Sequence, residues 1–205
     1  MRTKLINVAI EKFGKRGFDA VGTREIAAAV DTPMSSITYH FGGKEGLYQA
    51  AAEHIFEHLT THVAPEAQDL PGPDATREER VAAICNVMRR MGTFMLSAES
   101  APFSLFIGRE QQEPSQAVLD LLRERVLPMM LALAAQIRLL RPELSEERAR
   151  ALTVFLFGTT ITLRHSRASL GLLLGNKQLE TAETQEMLLD QLEMSARALL
   201  KGEPE

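Results

Sequence analysis

The stretch Thr23-Arg24-Glu25-Ile26-Ala27-Ala28-Ala29-Val30-Asp31-Thr32-Pro33-Met34-Ser35-Ser36-Ile37-Thr38-Tyr39-His40-Phe41 decides the fold. Ile26, Ala27 and Val30 give a first short segment its apolar side, and Ile37 and Phe41, one turn apart, do the same for a second. Between them Asp31-Thr32-Pro33 interrupts any continuous helix, because proline lacks the N–H and restricts the residue before it. Thr23 is placed to cap the first segment, with Glu25 near the positive end of its dipole. Thr32 as cap and Pro33 at the first helical position start the second, which runs to about His40. Upstream, Leu5, Ile6, Ala9, Ile10 and Phe13 form one face of a helix that stops at Gly14 or Gly17. Two short helices joined by a three- or four-residue turn on a three-helix scaffold is helix-turn-helix geometry.

Working outward, Phe41-Gly42-Gly43 ends the third helix, and a fourth is expected over about 44–63. Residues 64–75 hold three prolines and a glycine and read as a linker. Thr76 with Glu79 forms a capping box that opens a helix to about Ser97. Further helices are expected near 102–111, 115–140, 145–173 and 182–200, with Pro128 kinking the second of these four and Ser145 starting the third. Strand-like alternation is missing throughout. The expected class is all-α: an N-terminal three-helix helix-turn-helix bundle over 1–45, then a larger helical domain over 46–205, with the fourth helix connecting them.

Composition narrows the functional classes. The single cysteine, Cys85, excludes an internal disulfide and a thiolate zinc site. The longest uncharged apolar stretch near the C-terminal half, between Arg150 and Arg164, is too short to span a bilayer, and the N-terminus lacks a signal-peptide core. The expectation is a cytoplasmic protein with no membrane association. No catalytic dyad, phosphate-cradling glycine loop or credible nucleophile is apparent, so the chain is not expected to be an enzyme, and no cofactor or metal is implied. Net charge is −4 overall, but residues 1–44 carry seven basic and four acidic side chains, while the rest is net −7. A basic N-terminal block ahead of an acidic body suits a part that meets phosphates and a part that does not.

The second short helix exposes Met34, Ser35, Ser36, Thr38, Tyr39 and His40. Small hydroxyls permit close approach to a duplex, these side chains can donate to phosphates or base edges, and no carboxylate repels the backbone. Lys44, opening the next helix, sits beside the same surface. A plain three-helix cap with one polar helix accounts for the same residues. At this point the sequence resembles the TetR-type one-component transcriptional regulators. Residues 9–18, Ala-Ile-Glu-Lys-Phe-Gly-Lys-Arg-Gly-Phe, look like that family's first helix and stop; Thr23-Arg24-Glu25-Ile26-Ala27 looks like its second-helix opening. Residues 37–48, Ile-Thr-Tyr-His-Phe-Gly-Gly-Lys-Glu-Gly-Leu-Tyr, look like its recognition-helix exit. The likeness runs without gaps over about 5–50. It implies that Thr23 and Arg24 meet phosphate, that 34–40 reads the groove, and that Lys44 clamps the flanking backbone. The chain departs from the family at Asp31, where glycine is usual, and at Pro33, where serine caps the recognition helix; Asp tolerates a left-handed turn better than most residues.

Beyond the head, Phe106-Ile107-Gly108-Arg109-Glu110-Gln111, then Pro114 and Val126-Leu127-Pro128, resemble the subgroup that regulates cefoperazone and chloramphenicol sensitivity. Apolar stripes at Leu152, Phe155, Leu156, Thr159, Leu163 and Leu170, and at Leu188, Leu192, Ser195 and Leu199, need a partner; the family-like answer is a four-helix homodimer interface. Met88, Met91, Phe94, Met95, Phe103, Phe106, Met129 and Met130 make either ordinary core or an adaptable cavity for a hydrophobic, drug-like effector. Phe155 borders that region, and Arg109, Arg164 or His165 either orients a ligand or forms surface ion pairs. His54, His58 and His62 share one helical stripe, which serves packing, a metal or pH sensing. The resulting expectation is a homodimeric regulator, a repressor of a palindromic operator in double-stranded DNA, released by a small hydrophobic molecule. The alternatives are a metal- or pH-responsive regulator acting through the histidines and a helical small-molecule carrier with a vestigial DNA head.

Overall fold

The computed structural model describes residues 1–175 and 178–201, with the backbone alone for 62–68. Among the described residues the regular structure is all helix, without a strand, as the periodicity requires. Two compact units emerge: residues 1–59 with 101–125, and residues 60–100 with 126–205.

The first unit holds α1 (Arg2–Arg16), α2 (Thr23–Ala29), α3 (Ser35–Phe41) and the start of α4 (Lys44–Gln68). To these it adds most of α6 (Ser100–Glu110), and α7 (Gln116–Leu121) with all but the last residue of the π-helical turn 122–126 that follows it. Leu5, Ile6, Ala9, Ile10 and Phe13 are buried as the periodicity of α1 predicts. Gly17 ends that helix at φ +83, so of the two glycines it is the stop. Gly14 serves packing instead: a Cβ there would lie 3.0 Å from the Phe106 backbone nitrogen, so the absent side chain lets α6 approach α1. Phe13, Phe18, Tyr48 and Phe106 join in one aromatic cluster with centroid separations of 4.8–5.8 Å, in the range favoured by offset and edge contacts. The grouping of 101–125 with the N-terminal helices rests on these contacts, which no local pattern announces.

The second unit is built on α5 (Arg77–Leu96), which packs against α11 (Ala182–Lys201), α9 (Glu146–His165) and α8 (Leu127–Leu140). Short α10 (Arg167–Leu173) follows α9 after a break at Ser166. The expected capping box is present: Glu79 N–H donates to the Thr76 hydroxyl and Thr76 N–H to the Glu79 carboxylate. The expected helix over 115–140 is broken at the π turn, and Pro128 sits in the first turn of α8, where its missing N–H costs nothing. The fourth helix runs past Pro65 to Gln68, five residues beyond the expected end, so the connecting segment is shorter than its prolines suggest. That segment is stapled down. Arg80, only 4% exposed, donates to the Gln136 side chain and to the Gly72 and Pro73 carbonyls at 2.6–2.8 Å, while Gln136 donates to Pro71. Gly92 makes room for α11, since a Cβ there would lie 2.8 Å from Leu192 and 2.9 Å from Leu189. Cys85 is buried in this core, and burial pushes its thiol up to about 11.

Candidate nucleic-acid interface

The α2–α3 turn closes through backbone bonds. Thr32 N–H donates to the Ala27 carbonyl at 3.1 Å and Asp31 N–H to Ala28 at 3.2 Å, with Asp31 at φ +52. That is a Schellman ending with aspartate in the left-handed position. It changes the expected capping. Thr32 does not cap α3: its N–H ends α2, and its hydroxyl bonds to Ser36 Oγ at 2.9 Å rather than accepting from a first-turn N–H. Pro33 lies outside the helix, Met34 is the cap residue, and Ser36 N–H donates to the Pro33 carbonyl. Thr23 likewise is the first helical residue and Gly22 the cap. Ile37 is buried and fixes which side of α3 faces out; Gly42, left-handed at φ +75, stops the helix.

The outward side carries Met34, Ser35, Thr38, Tyr39 and His40, all exposed, with Tyr39 the most open at 85%. Ser36 is half-buried, its hydroxyl engaged with Thr32. The basic residues of the head divide into two groups. Lys12 and Arg16 both grip Glu25, at 2.7 and 2.8 Å, tying α1 to α2, and the Lys12 hydrogen bond foremost holds that carboxyl below its ordinary range. Lys15 pairs with Glu11, Arg2 lies over the Phe41 ring, and the Lys44 ammonium sits 4.3 Å from the centre of Phe18. Lys4 and Arg24 are exposed and have no ion-pair partner among the described residues. Much of the basic block therefore builds the head, and Arg24 is the cation left free beside the turn.

The expected effector residues divide between the two units. Phe103, Phe106 and Arg109 belong to the first unit, while Met91, Phe94, Met95, Met129, Met130, Phe155, Arg164 and His165 belong to the second. Met91, Phe94, Met95 and Phe106 are buried core. Arg164 is occupied by backbone: its Nε donates to the Met95 carbonyl at 2.8 Å and a second nitrogen to Ser97, at the end of α5. His165 and Phe155 are exposed. A cleft of about 780 Å³ does exist in the first unit, between the 16–20 turn, the start of α4 and residues 109–117; of the expected residues it takes in Arg109 alone. Arg109 donates there to the Gly14 and Lys15 carbonyls at 2.7 and 2.8 Å. Glu110, 5% exposed, accepts from the Tyr48 hydroxyl and from both the N–H and hydroxyl of Ser115. Burial foremost, then the Glu110 bond, raises the Tyr48 phenol. Sequence reading missed this Tyr48–Glu110–Ser115 network because Tyr48 and Glu110 lie 62 positions apart.

The expected interface residues also divide. Leu156, Leu163, Leu188 and Leu192 are buried in the chain's own core, so they are not available to a partner. The apolar side chains left uncovered on α9 and α11 are Val154, Phe155 and Ile161, and Met187, Met194 and Leu199. Leu152, Thr159, Leu170 and Ser195 are half-buried. His54 and His58 both approach the Phe103 ring, at 6.3 and 5.2 Å; burial first, then His58, holds His54 below its ordinary 6.5. The side chain of His62 lies outside the described residues. Among the described residues no three His, Cys, Asp or Glu side chains cluster as metal ligands, and no helix is long and apolar enough to cross a membrane.

Comparison with known proteins decides the family. Residues 5–51 match the model described as bacterial regulatory proteins of the tetR family, and residues 80–202 match the C-terminal domain of the HTH-type transcriptional dual regulator CecR. The chain is a TetR-family transcriptional regulator of the CecR group. This TetR-family regulator is 35% identical over 133 residues to CecR of Shigella flexneri, covering 62% of the chain and 57% of that protein. It is 26% identical over 105 residues to the biofilm operon negative regulator IcaR of Staphylococcus epidermidis, covering 51% and 57%. The matches thus span little more than half of these relatives. Among solved structures, a TetR-family regulator from Bordetella parapertussis superposes with a TM-score of 0.69 at 13% identity, covering 98% of this chain and 94% of that one. AmtR of Mycobacterium smegmatis gives 0.67 at 14%, covering 100% and 87%. These likenesses establish the all-α fold; the family, one of regulators, excludes an enzyme.

Proposed function

We propose that the chain is a homodimeric regulator that lays α3 in the major groove of a palindromic operator, acts as a repressor and is released by a small hydrophobic effector. The observation that carries the DNA reading is the outward face of α3: five exposed side chains without a carboxylate, oriented by buried Ile37 and flanked by unpaired Arg24. In this arrangement Arg24 and Thr23 hold phosphates, α3 reads base edges, and Lys44 leaves the Phe18 ring to meet backbone oxygen. Uncovered Val154, Phe155, Ile161 and Met194 support pairing through α9 and α11, which supplies the two-fold axis of a palindrome. An effector acts by binding more tightly to the conformation with the wrong head spacing, and DNA then weakens effector binding by the same factor.

Selection from random duplex DNA tests this reading. Enrichment of a palindrome, with affinity that falls steeply as salt rises and falls further in Arg24→Ala, is the expected result. A folded dimer that enriches nothing, even after extraction of co-purified small molecules, would leave the carrier reading instead.

A further inference from the structure

The chemistry of α3 restricts how it can recognise a sequence. Direct readout of guanine uses bidentate Arg or Lys, readout of adenine uses Asn or Gln, and readout of cytosine uses Asp or Glu. Residues 34–40 contain none of these six types. Beside the hydroxyls and the His40 ring, the helix presents outward the apolar surface of Met34, 49% exposed at the leading end that meets base edges in this motif, and the ring of Tyr39, with the methyl-bearing Thr38 exposed between them. The one base feature in the major groove that answers apolar surface is the thymine 5-methyl group. Single hydrogen bonds from Ser35, Thr38, the Tyr39 hydroxyl and His40 remain, but each is compatible with more than one base. The hydroxyl of Ser36 is withdrawn by Thr32. Arg2 and Lys44 rest on aromatic rings, and Arg24, the nearest cation before α3 in the sequence, stands in the first turn of α2, where the reading above gives it a phosphate.

We infer that this regulator reads its half-site chiefly through thymine methyl groups, with Met34 and the Tyr39 ring as the specificity-determining side chains. The inference rests on the DNA-binding reading above. It makes the operator half-site rich in A·T pairs at the positions under α3 and leaves guanine only single hydrogen bonds from Ser35, Thr38, Tyr39 or His40.

The test uses the full-length protein and the duplex it selects. Each thymine is replaced in turn by deoxyuridine, which removes the methyl and keeps the pairing, and affinity is measured by fluorescence anisotropy at fixed salt. Loss of about fourfold per contacted methyl is expected, the value of one buried methylene. Met34→Ala and Tyr39→Ala should each make the protein indifferent to one of those methyls, whereas Tyr39→Phe, which keeps the ring, should remain sensitive. Both positions are exposed, so these variants fold. Sequence-specific binding that changes less than twofold with every deoxyuridine, and collapses instead with 7-deazaguanine or His40→Ala, would overturn the inference while leaving the DNA-binding reading intact. Failure to select any duplex would overturn both.

Discussion

Gly46 provides a sharp test of how the reading helix is held. It occupies the first turn of α4, and an ideal Cβ built on it would lie 1.8 Å from the Phe41 carbonyl oxygen and 2.9 Å from the Phe41 carbonyl carbon. Phe41 is the last residue of α3, so the obstruction is backbone at the exit of the reading helix rather than a side chain that could rotate away. In Gly46→Ala the two helices must part by more than 1 Å merely to bring that contact to 3.0 Å. A Gly to Ala change in an open helix gains about 0.5–1 kcal/mol, and overpacking against a fixed group costs about 1–3 kcal/mol. With backbone as the obstacle, the upper end applies and the net loss is about 2 kcal/mol. The chain has no tryptophan and two tyrosines, Tyr39 and Tyr48, both in the first unit, so the tyrosine band of the near-ultraviolet circular dichroism, read at longer wavelength than the phenylalanine bands, reports on that unit during urea unfolding. Gly46→Ala should lower its midpoint and weaken operator binding at least tenfold. Gly171→Ala, with nothing within 4 Å of the added carbon, should do neither. An unchanged or raised midpoint for Gly46→Ala, with full DNA affinity, would refute the reasoning.

Three further predictions follow from the same structure. Phe155 is 71% exposed, so Phe155→Glu should leave the monomer's stability within about 0.5 kcal/mol and dissociate the proposed dimer, as read by analytical ultracentrifugation. Gly92→Ala drives a methyl into Leu189 and Leu192 and should destabilise the second unit by about 1–3 kcal/mol in a urea titration followed by far-ultraviolet circular dichroism. Because the folded chain holds His54 below 6.5, the unfolded chain binds the proton first as pH falls; stability is full above about 6.5 and declines as pH drops towards the depressed value. His54→Gln should flatten that decline in unfolding midpoints measured across this range.

The local signals were legible in the sequence. Two apolar anchors either side of Asp31-Thr32-Pro33 identified the paired short helices, and Asp31 does adopt the left-handed turn its side chain tolerates. The Thr76–Glu79 box also follows from single-position chemistry, whereas the expected kink at Pro128 is instead a break at the π turn 122–126 ahead of it. Thr32 is not the cap of α3 because it completes the backbone reversal at Asp31 and the helix starts only at Ser35, which puts Met34 in the cap position and leaves the Thr32 hydroxyl on Ser36 Oγ. Periodicity could not say what covers an apolar stripe. Leu188 and Leu192 are buried on α11, which packs against the chain's own α5, and of the expected α11 stripe Leu199 is left uncovered together with Met187 and Met194, which lie one or two positions from the buried leucines. The Glu110 network was illegible because a buried carboxylate partnered across 62 positions looks, in sequence, like any helix-end glutamate.

The central claim is that α3 lies in the major groove. It is tested most directly by replacing thymines of the selected duplex with 5-iodouracil, whose iodine occupies the place of the methyl, and irradiating the complex. The crosslinked tryptic peptide should be 25–44, with the modification on Met34, Tyr39 or His40, and at symmetric positions in both half-sites. Tight, sequence-specific binding whose crosslinks fall in residues 126–201 would contradict it.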